Sequence, residues 1–348
     1  DPSPAFEKMV EPCGGYGAKV ESPEDVMPAL KKAFDAVRSG MVGIDALYGN
    51  ELTGLCRPEE LLRLVGSAAR LGREIGVPVE SAMITDVPGY TCGIVPAFAH
   101  SGIKYFSIGP NGGDRIGHTI AAWGDKPFWW VGPNGRDRVL VWMTGTGYYQ
   151  VFQSTEKIQN YLSRLEEQGY PYDYVQARHC LGDNGAPDVN FADKVKAWNE
   201  THAYPKLVIA TTAEMFRDFE QRYGSQIPVA RGDFTPYWED GAASSARETA
   251  LNRASAERLV QAETLFALYN RKAFPAADFR RSHLKQLPGN CFAYFFISDA
   301  RSVISPKWLN GPNPVSVIPM EMLVSGKVFA FPWRSTDWMD PLSRSSAS

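Results

Sequence analysis

The feature that most limits what this chain can fold into is a regular exchange of short strand-like runs and longer helical runs between residues 61 and 223. A helical stripe comes first, with Leu61, Leu64, Val65, Ala68 and Leu71 at helical spacing. The run from Val77 to Ile84 predicts a strand that ends at Thr85-Asp86-Val87-Pro88-Gly89-Tyr90. A helix is predicted from Ile94 to Ser101, a strand from Lys104 to Ile108, and a Gly/Asn loop from Gly109 to Gly113. Phe128–Val131 and Val139–Met143 read as paired strands across a Pro133-Asn134-Gly135 turn. A helix (Ile158–Gln168) then leads to a strand (Asp173–Ala177) and the polar segment His179-Cys180-Leu181-Gly182-Asp183-Asn184-Gly185. A helix (Ala192–Glu200), a strand (Lys206–Ala210) and a helix (Ala213–Tyr223) complete the series. Such alternation specifies an α/β domain, whose chemistry sits in the loops at the carboxyl ends of its strands. Asp86 and Asp183 both fall in such loops.

The flanks differ in kind. Residues 1–40 read as an extended piece, a Gly-rich turn (Cys13–Gly17) and a helix begun by Ser22, Pro23, Glu24 and Asp25. Val26, Leu30, Ala33, Phe34 and Val37 line one face of it. Residues 243–274 are rich in Ala, Leu, Glu and Arg and predict one or two long helices of a bundle. From about Ser282 prolines interrupt every pattern, and Ser343–Ser348 is expected to be disordered. The expected organisation is a separate segment 1–40, a catalytic α/β domain 41–242, a bundle segment 243–280 and a Pro-rich tail 281–348.

Charge narrows the function classes. The net charge is -3 and no Lys/Arg cluster occurs, which argues against a nucleic-acid partner. No run of 18 apolar residues predicts a membrane span, and Asp1-Pro2-Ser3-Pro4 is no secretion signal. The chain is expected to start after processing or to be a fragment, and its compartment stays open. Five scattered cysteines without a CxxC pair predict neither a disulfide framework nor a cysteine zinc site. Aromatics make up 12% of the chain, which suits both sugar recognition and ordinary core packing.

Single residues carry two readings each. Asp86, before Pro88, suits a functional carboxylate or an Asx-turn; Asp183 and Asp188 suit functional carboxylates, and Asp183 equally Asp-Asn-Gly turn chemistry. His179 either orients a carboxyl or touches substrate, or is an ordinary hydrogen-bonded histidine. Arg115 suits a sugar hydroxyl or a structural ion pair.

Three stretches resemble glycoside hydrolase family 38, the α-mannosidase family. "SAMITDVPGYTCGIVPAFAHSGIKYFSIGPN" (81–111) is similar to its element with an Asp at a strand end before a helix. "DKPFWWVGPNGRDRVLVWM" (125–143) is similar to its hairpin. "RGDFTPYWEDGAASSARETALNRASAERLVQAE" (231–263) looks like its passage from catalytic domain to helical bundle. The resemblance covers roughly residues 44–280, about two-thirds of the chain. It implies a seven-stranded α/β barrel, incomplete here, followed by a helical bundle, and retaining hydrolysis of α-mannosides. In such hydrolysis two carboxyls about 5 Å apart act as nucleophile and general acid. Asp86 aligns with the nucleophile, which in the family also binds zinc, and Asp183 with the acid. Arg115, His179, Asn184, Tyr237, Trp238 and Asp240 are the implied contacts to a carbohydrate substrate. Residues 1–40 resemble instead the C-terminal edge of thiamine-diphosphate-dependent decarboxylases and synthases; the cofactor-holding part of that family is absent, so thiamine binding is not expected.

The sequence departs from family 38 at the metal. The family's first strand carries His-x-Asp, two zinc ligands, and no His-x-Asp occurs here. Of four expected ligands only Asp86 has a counterpart, and one carboxylate does not hold zinc at useful affinity. Two readings follow: a zinc-dependent glycosidase, or a non-catalytic carbohydrate-binding or scaffold protein on the same fold.

Overall fold

The computed structural model describes residues 17–111, 119–148, 154–179, 188, 190–234 and 246–286, with the backbone of two short strands at 323–324 and 327–328. Elements follow in the order α1 (Pro23–Arg38), β1 (Asp45–Ala46), α2 (Pro58–Ile75), β2 (Ser81–Asp86), α3 (Ile94–His100) and β3 (Tyr105–Pro110). Next come α4 (Thr119–Trp123), β4 (Phe128–Val131), β5 (Arg138–Met143), α5 (Thr155–Glu167), α6 (Phe191–Thr201), α7 (Thr212–Tyr223) and β6 (Val229–Arg231). Two helices, α8 (Ala246–Tyr269) and α9 (Ala276–Gln286), follow, then the antiparallel pair β7 (Leu323–Val324) and β8 (Lys327–Val328).

The helix starts follow from local chemistry. Ser22 Oγ and its N–H both donate to Asp25, and Thr211 and Glu214 form the reciprocal box that opens α7. Pro58 sits in the first turn of α2, and Gly76 ends that helix at φ +76°.

One sheet with strand order β1-β2-β3-β5-β4-β6 organises the domain. All its pairings are parallel except β4 with β5. The domain is therefore α/β, as expected, with a mostly parallel six-stranded sheet. Where an incomplete seven-stranded barrel was expected, the described residues form a six-stranded sheet with β1 and β6 at the ends of the order.

The sheet is covered on both faces, and its strands show why. Phe128-Trp129-Trp130-Val131 is buried throughout, and successive side chains point to opposite faces. Phe128 and Trp130 join Ile84, Phe106, Ile108 and Val141 in the larger cluster, together with Leu61, Leu64 and Val65 of α2 and Phe98 of α3. Trp129, Leu140 and Trp142 face the other way, onto Phe216 and Phe219 of α7. The hairpin aromatics are thus core residues.

Two expected strands are absent. Residues 173–177 and 206–210 belong to no strand among the described residues. In the second, the Asn199 side chain takes both the N–H (2.9 Å) and the carbonyl (2.7 Å) of Leu207, groups a ladder would need. The expected long helix at 243–274 is α8, ending at Tyr269. Arg63 of α2 donates to Glu59 and to Glu263 of α8, and His283 of α9 meets Glu263 at 2.8 Å, so this ion-pair seam ties both late helices to α2.

Gly72, inside α2, tests the packing of that helix on the approach to β2. A helix-interior Gly→Ala change ordinarily stabilises by about 1 kcal/mol. Here a Cβ would stand 2.6 Å from the Val77 carbonyl and 2.9 Å from Val79 Cγ2. Gly72→Ala is therefore expected to destabilise by about 1–3 kcal/mol, as overpacking does. A thermal melt at or above the wild-type midpoint would contradict this packing.

Candidate active site at the carboxyl edge of the sheet

Asp86 is the last residue of β2 and takes φ +69°, a left-handed conformation rare for a residue with a side chain. Such backbone is held only where neighbours over-determine it. Here they do so from three directions. Asn111, just past β3, donates its N–H to the Asp86 carbonyl (3.1 Å) and its Nδ2 to Asp86 Oδ1 (2.6 Å). Asn50 Oδ1, past β1, accepts the N–H of Thr85 (3.0 Å). Thr53 Oγ1 donates to the Gly89 carbonyl (3.0 Å) and accepts the Thr91 N–H (3.2 Å), fixing the loop that follows.

Tyr90 stands four residues after Asp86, buried, with no hydrogen-bond partner for its hydroxyl among the described residues. Burial pushes that hydroxyl's pKa far up; the Arg178 charge opposes this and the Asp86 charge adds to it. Tyr90 is also bridged to Phe234 by a 2.6 Å and a 2.8 Å backbone hydrogen bond. The chain that continues to Tyr237, Trp238 and Asp240 thus leaves from the loop beside Asp86. Those three residues, and Arg115, Asp183 and Asn184, lie outside the described residues.

His179 is brought close to Asp188. Its ring lies flat on Phe191 (centroids 4.2 Å apart) and its Nε2 meets Asp188 Oδ2 at 2.8 Å. Lys194 Nζ reaches the same oxygen at 2.8 Å, and the Asn190 N–H donates to the other at 3.1 Å. Burial would raise the Asp188 carboxyl, but these donors outweigh it and hold its pKa below the usual range. A carboxyl held ionised has no proton to give, so Asp188 is a poor general acid.

Glu51, which sequence reading passed over, is a second unusual carboxyl at this edge. It is 1% exposed, its Oε2 has no partner among the described residues, and it follows the Asn50 that caps Thr85. Burial first, then the nearby Glu60, pushes its pKa well above the usual range. Nothing in its sequence neighbourhood signals burial.

A metal needs several convergent donors. Among the described residues one group of three metal-capable side chains lies together, Glu59, Glu263 and His283, with ligand atoms within 4.8 Å of one another. The Arg63 guanidinium already bonds both carboxylates, so this group has the make-up of a structural joint between α2, α8 and α9. It does not include Asp86. The described residues around Asp86 therefore do not fit a zinc ion. No described helix is long and apolar enough to cross a membrane.

Residues 60–240 match the family described as glycosyl hydrolases family 38 N-terminal domain. No curated protein matches the chain. Among solved structures, an α-mannosidase from Enterococcus faecalis V583 is similar at TM-score 0.56 and 14% identity, over 76% of this chain and 32% of that one. A glycosyl hydrolase family 38 protein from Enterococcus faecalis matches at TM-score 0.49 and 14% identity, over 76% of this chain and 29% of that one. The chain thus spans about a third of the length of the α-mannosidase it resembles.

The buried Glu51 gives a signed stability prediction. A carboxyl whose pKa is raised by folding stabilises fully below its unfolded pKa and loses that contribution as pH rises through the folded value. Glu51→Gln is therefore expected to raise the unfolding midpoint at pH 7 to 8. The gain should vanish as pH falls towards about 4, the unfolded glutamate range. A gain that persists at low pH, or a loss at pH 8, would contradict the burial of a carboxyl with a raised pKa here.

Proposed function

The chain belongs to glycosyl hydrolase family 38, and from that premise we propose that it is the catalytic α/β portion of a glycosidase acting on α-mannosides, with Asp86 as nucleophile. The observation that carries this reading is the placing of Asp86. It closes a parallel strand at the carboxyl edge, in a left-handed conformation, with an Asn111 hydrogen bond on one carboxylate oxygen. In a retaining mechanism that carboxylate attacks the anomeric carbon while a second carboxyl protonates the leaving oxygen, then helps water to release the sugar. Asp183 takes the second role in this reading. Arg115, His179, Asn184, Tyr237, Trp238 and Asp240 contact the sugar. An incomplete seven-stranded barrel, and the division at residue 242 between catalytic domain and helical bundle, belong to the same proposal.

The family relationship makes zinc the expected metal. Asp86 belongs to no described cluster of three metal-capable side chains, and the proposed steps need only the chain's own carboxyls. The same shortfall favours the second reading, a non-catalytic carbohydrate-binding or scaffold protein with the pocket retained.

With 4-nitrophenyl α-mannoside as substrate, Asp86→Ala is expected to abolish turnover while the circular dichroism spectrum is unchanged. Retained turnover removes Asp86 as nucleophile. Absence of zinc and of turnover in the wild-type protein, with methyl α-mannoside still bound, would select the second reading.

A further inference from the structure

Arg178 is a partly buried cation at the place where three segments meet. Its Nη1 donates to the Ile84 carbonyl (3.2 Å) and to Thr85 Oγ1 (2.6 Å), the two residues before Asp86. Its Nη2 donates to Ser107 Oγ (2.7 Å) in the middle of β3, an oxygen that also accepts from Gln176. The guanidinium lies against Gly109, where a Cβ would stand 2.7 Å from Nη1 and 2.9 Å from Cζ. That glycine therefore leaves room for Arg178. Two residues further on is Asn111, the partner of the Asp86 carboxylate.

We propose that Arg178 is the positioning residue of the Asp86 site, a planar clamp that sets the end of β2 against the end of β3 and joins both to the segment leading to Asp183. This rests on Asp86 being the nucleophile. The geometry explains why arginine serves here. A forked, planar donor reaches a carbonyl and two hydroxyls on two strands at once, which a lysine ammonium on a flexible stem does not. The clamp also makes the spacing between β2 and β3 at this edge depend on a residue outside the sheet. Residues 173–177 do not join the ladder; Tyr174 and Val175 pack the segment on the α7 side of the sheet, and Gln176 and Arg178 bond it to Ser107.

The test uses the full chain with Arg178→Lys, Arg178→Ala and Gly109→Ala, and two readouts. The first is turnover of 4-nitrophenyl α-mannoside. Arg178→Lys is expected to lower kcat by about 10- to 100-fold, the range of a small misplacement of a reacting group, with KM within about twofold. Gly109→Ala, which displaces the guanidinium, is expected to give the same pattern. Added to Arg178→Ala it should cost nothing further, because the clash is gone. The second readout is the side-chain amide of Asn111 by NMR, which needs no activity. Its hydrogen-bonded shift in the wild-type protein is expected to move to the solvent-exposed range in Arg178→Lys and in Gly109→Ala.

Wild-type kcat and an unmoved Asn111 amide in Arg178→Lys would overturn the proposal. So would full additivity of Gly109→Ala with Arg178→Ala. If the wild-type protein turns over no mannoside, the glycosidase reading fails and the amide signal alone decides whether Arg178 holds Asn111 to Asp86.

Discussion

The parallel pairing of β2 with β3 is the constraint on which the rest of the structure depends. Six consecutive residues are in register, from Ser81 with Tyr105 to Asp86 with Pro110. That register puts Asn111 within reach of Asp86 and aligns Gly109 and Ser107 for the Arg178 guanidinium. A slip of one residue would turn Ile84 and Ile108 out of the core and carry Asp86 away from Asn111. The hydrophobic faces therefore set the site. Burying Ala82, Ile84, Phe106 and Ile108 under α2 and α3 leaves a single register, and that register fixes the geometry at the strand ends.

The same edge concentrates buried charge and unpaired polar groups. Asp86, Arg178 and the Tyr90 hydroxyl interact electrostatically, and the buried Glu51 lies on the neighbouring connection after β1. Asp45 and Asp125 are likewise carboxyls pushed up by burial. Asp188 is held by Lys194, His179 and a backbone N–H, and Arg63 bonds both Glu59 and Glu263. Buried groups whose charged forms are disfavoured are costly in a fold, and Glu51 and the Tyr90 hydroxyl are two of them at this edge.

Much of this fold was legible because its signals are local. The stripe from Leu61 to Leu71 and the Ser22–Asp25 start gave α2 and α1, and the apolar runs at 128–131 and 139–143 gave β4 and β5. Failures came where long-range contacts override the local pattern. Residues 206–210 look like a strand, yet Asn199 occupies the Leu207 backbone groups, and Val208 and Ile209 are exposed. Around 173–177, Tyr172 and Tyr174 pack on Phe219, and Tyr172 on Tyr223, without a neighbouring strand among the described residues. β1 and β6 are too short to show periodicity. In the site, Asp86 was legible from its place at a strand end before Pro88. Asn111, Tyr90, Glu51 and Arg178 were not, because each acquires its meaning from partners brought together by the sheet, as Arg178 does with Thr85 and Ser107.

The central claim is that Asp86 is the group that would bond to the sugar. Its most direct test is covalent trapping. The protein is incubated with 5-fluoro-α-mannosyl fluoride, which forms a slowly hydrolysed glycosyl-enzyme with a retaining glycosidase, and then digested for peptide mass spectrometry. The account predicts one added 5-fluoromannosyl group on the peptide containing Asp86, absent from the Asp86→Asn protein. An adduct on a different carboxylate, or an active protein that forms none, would contradict it.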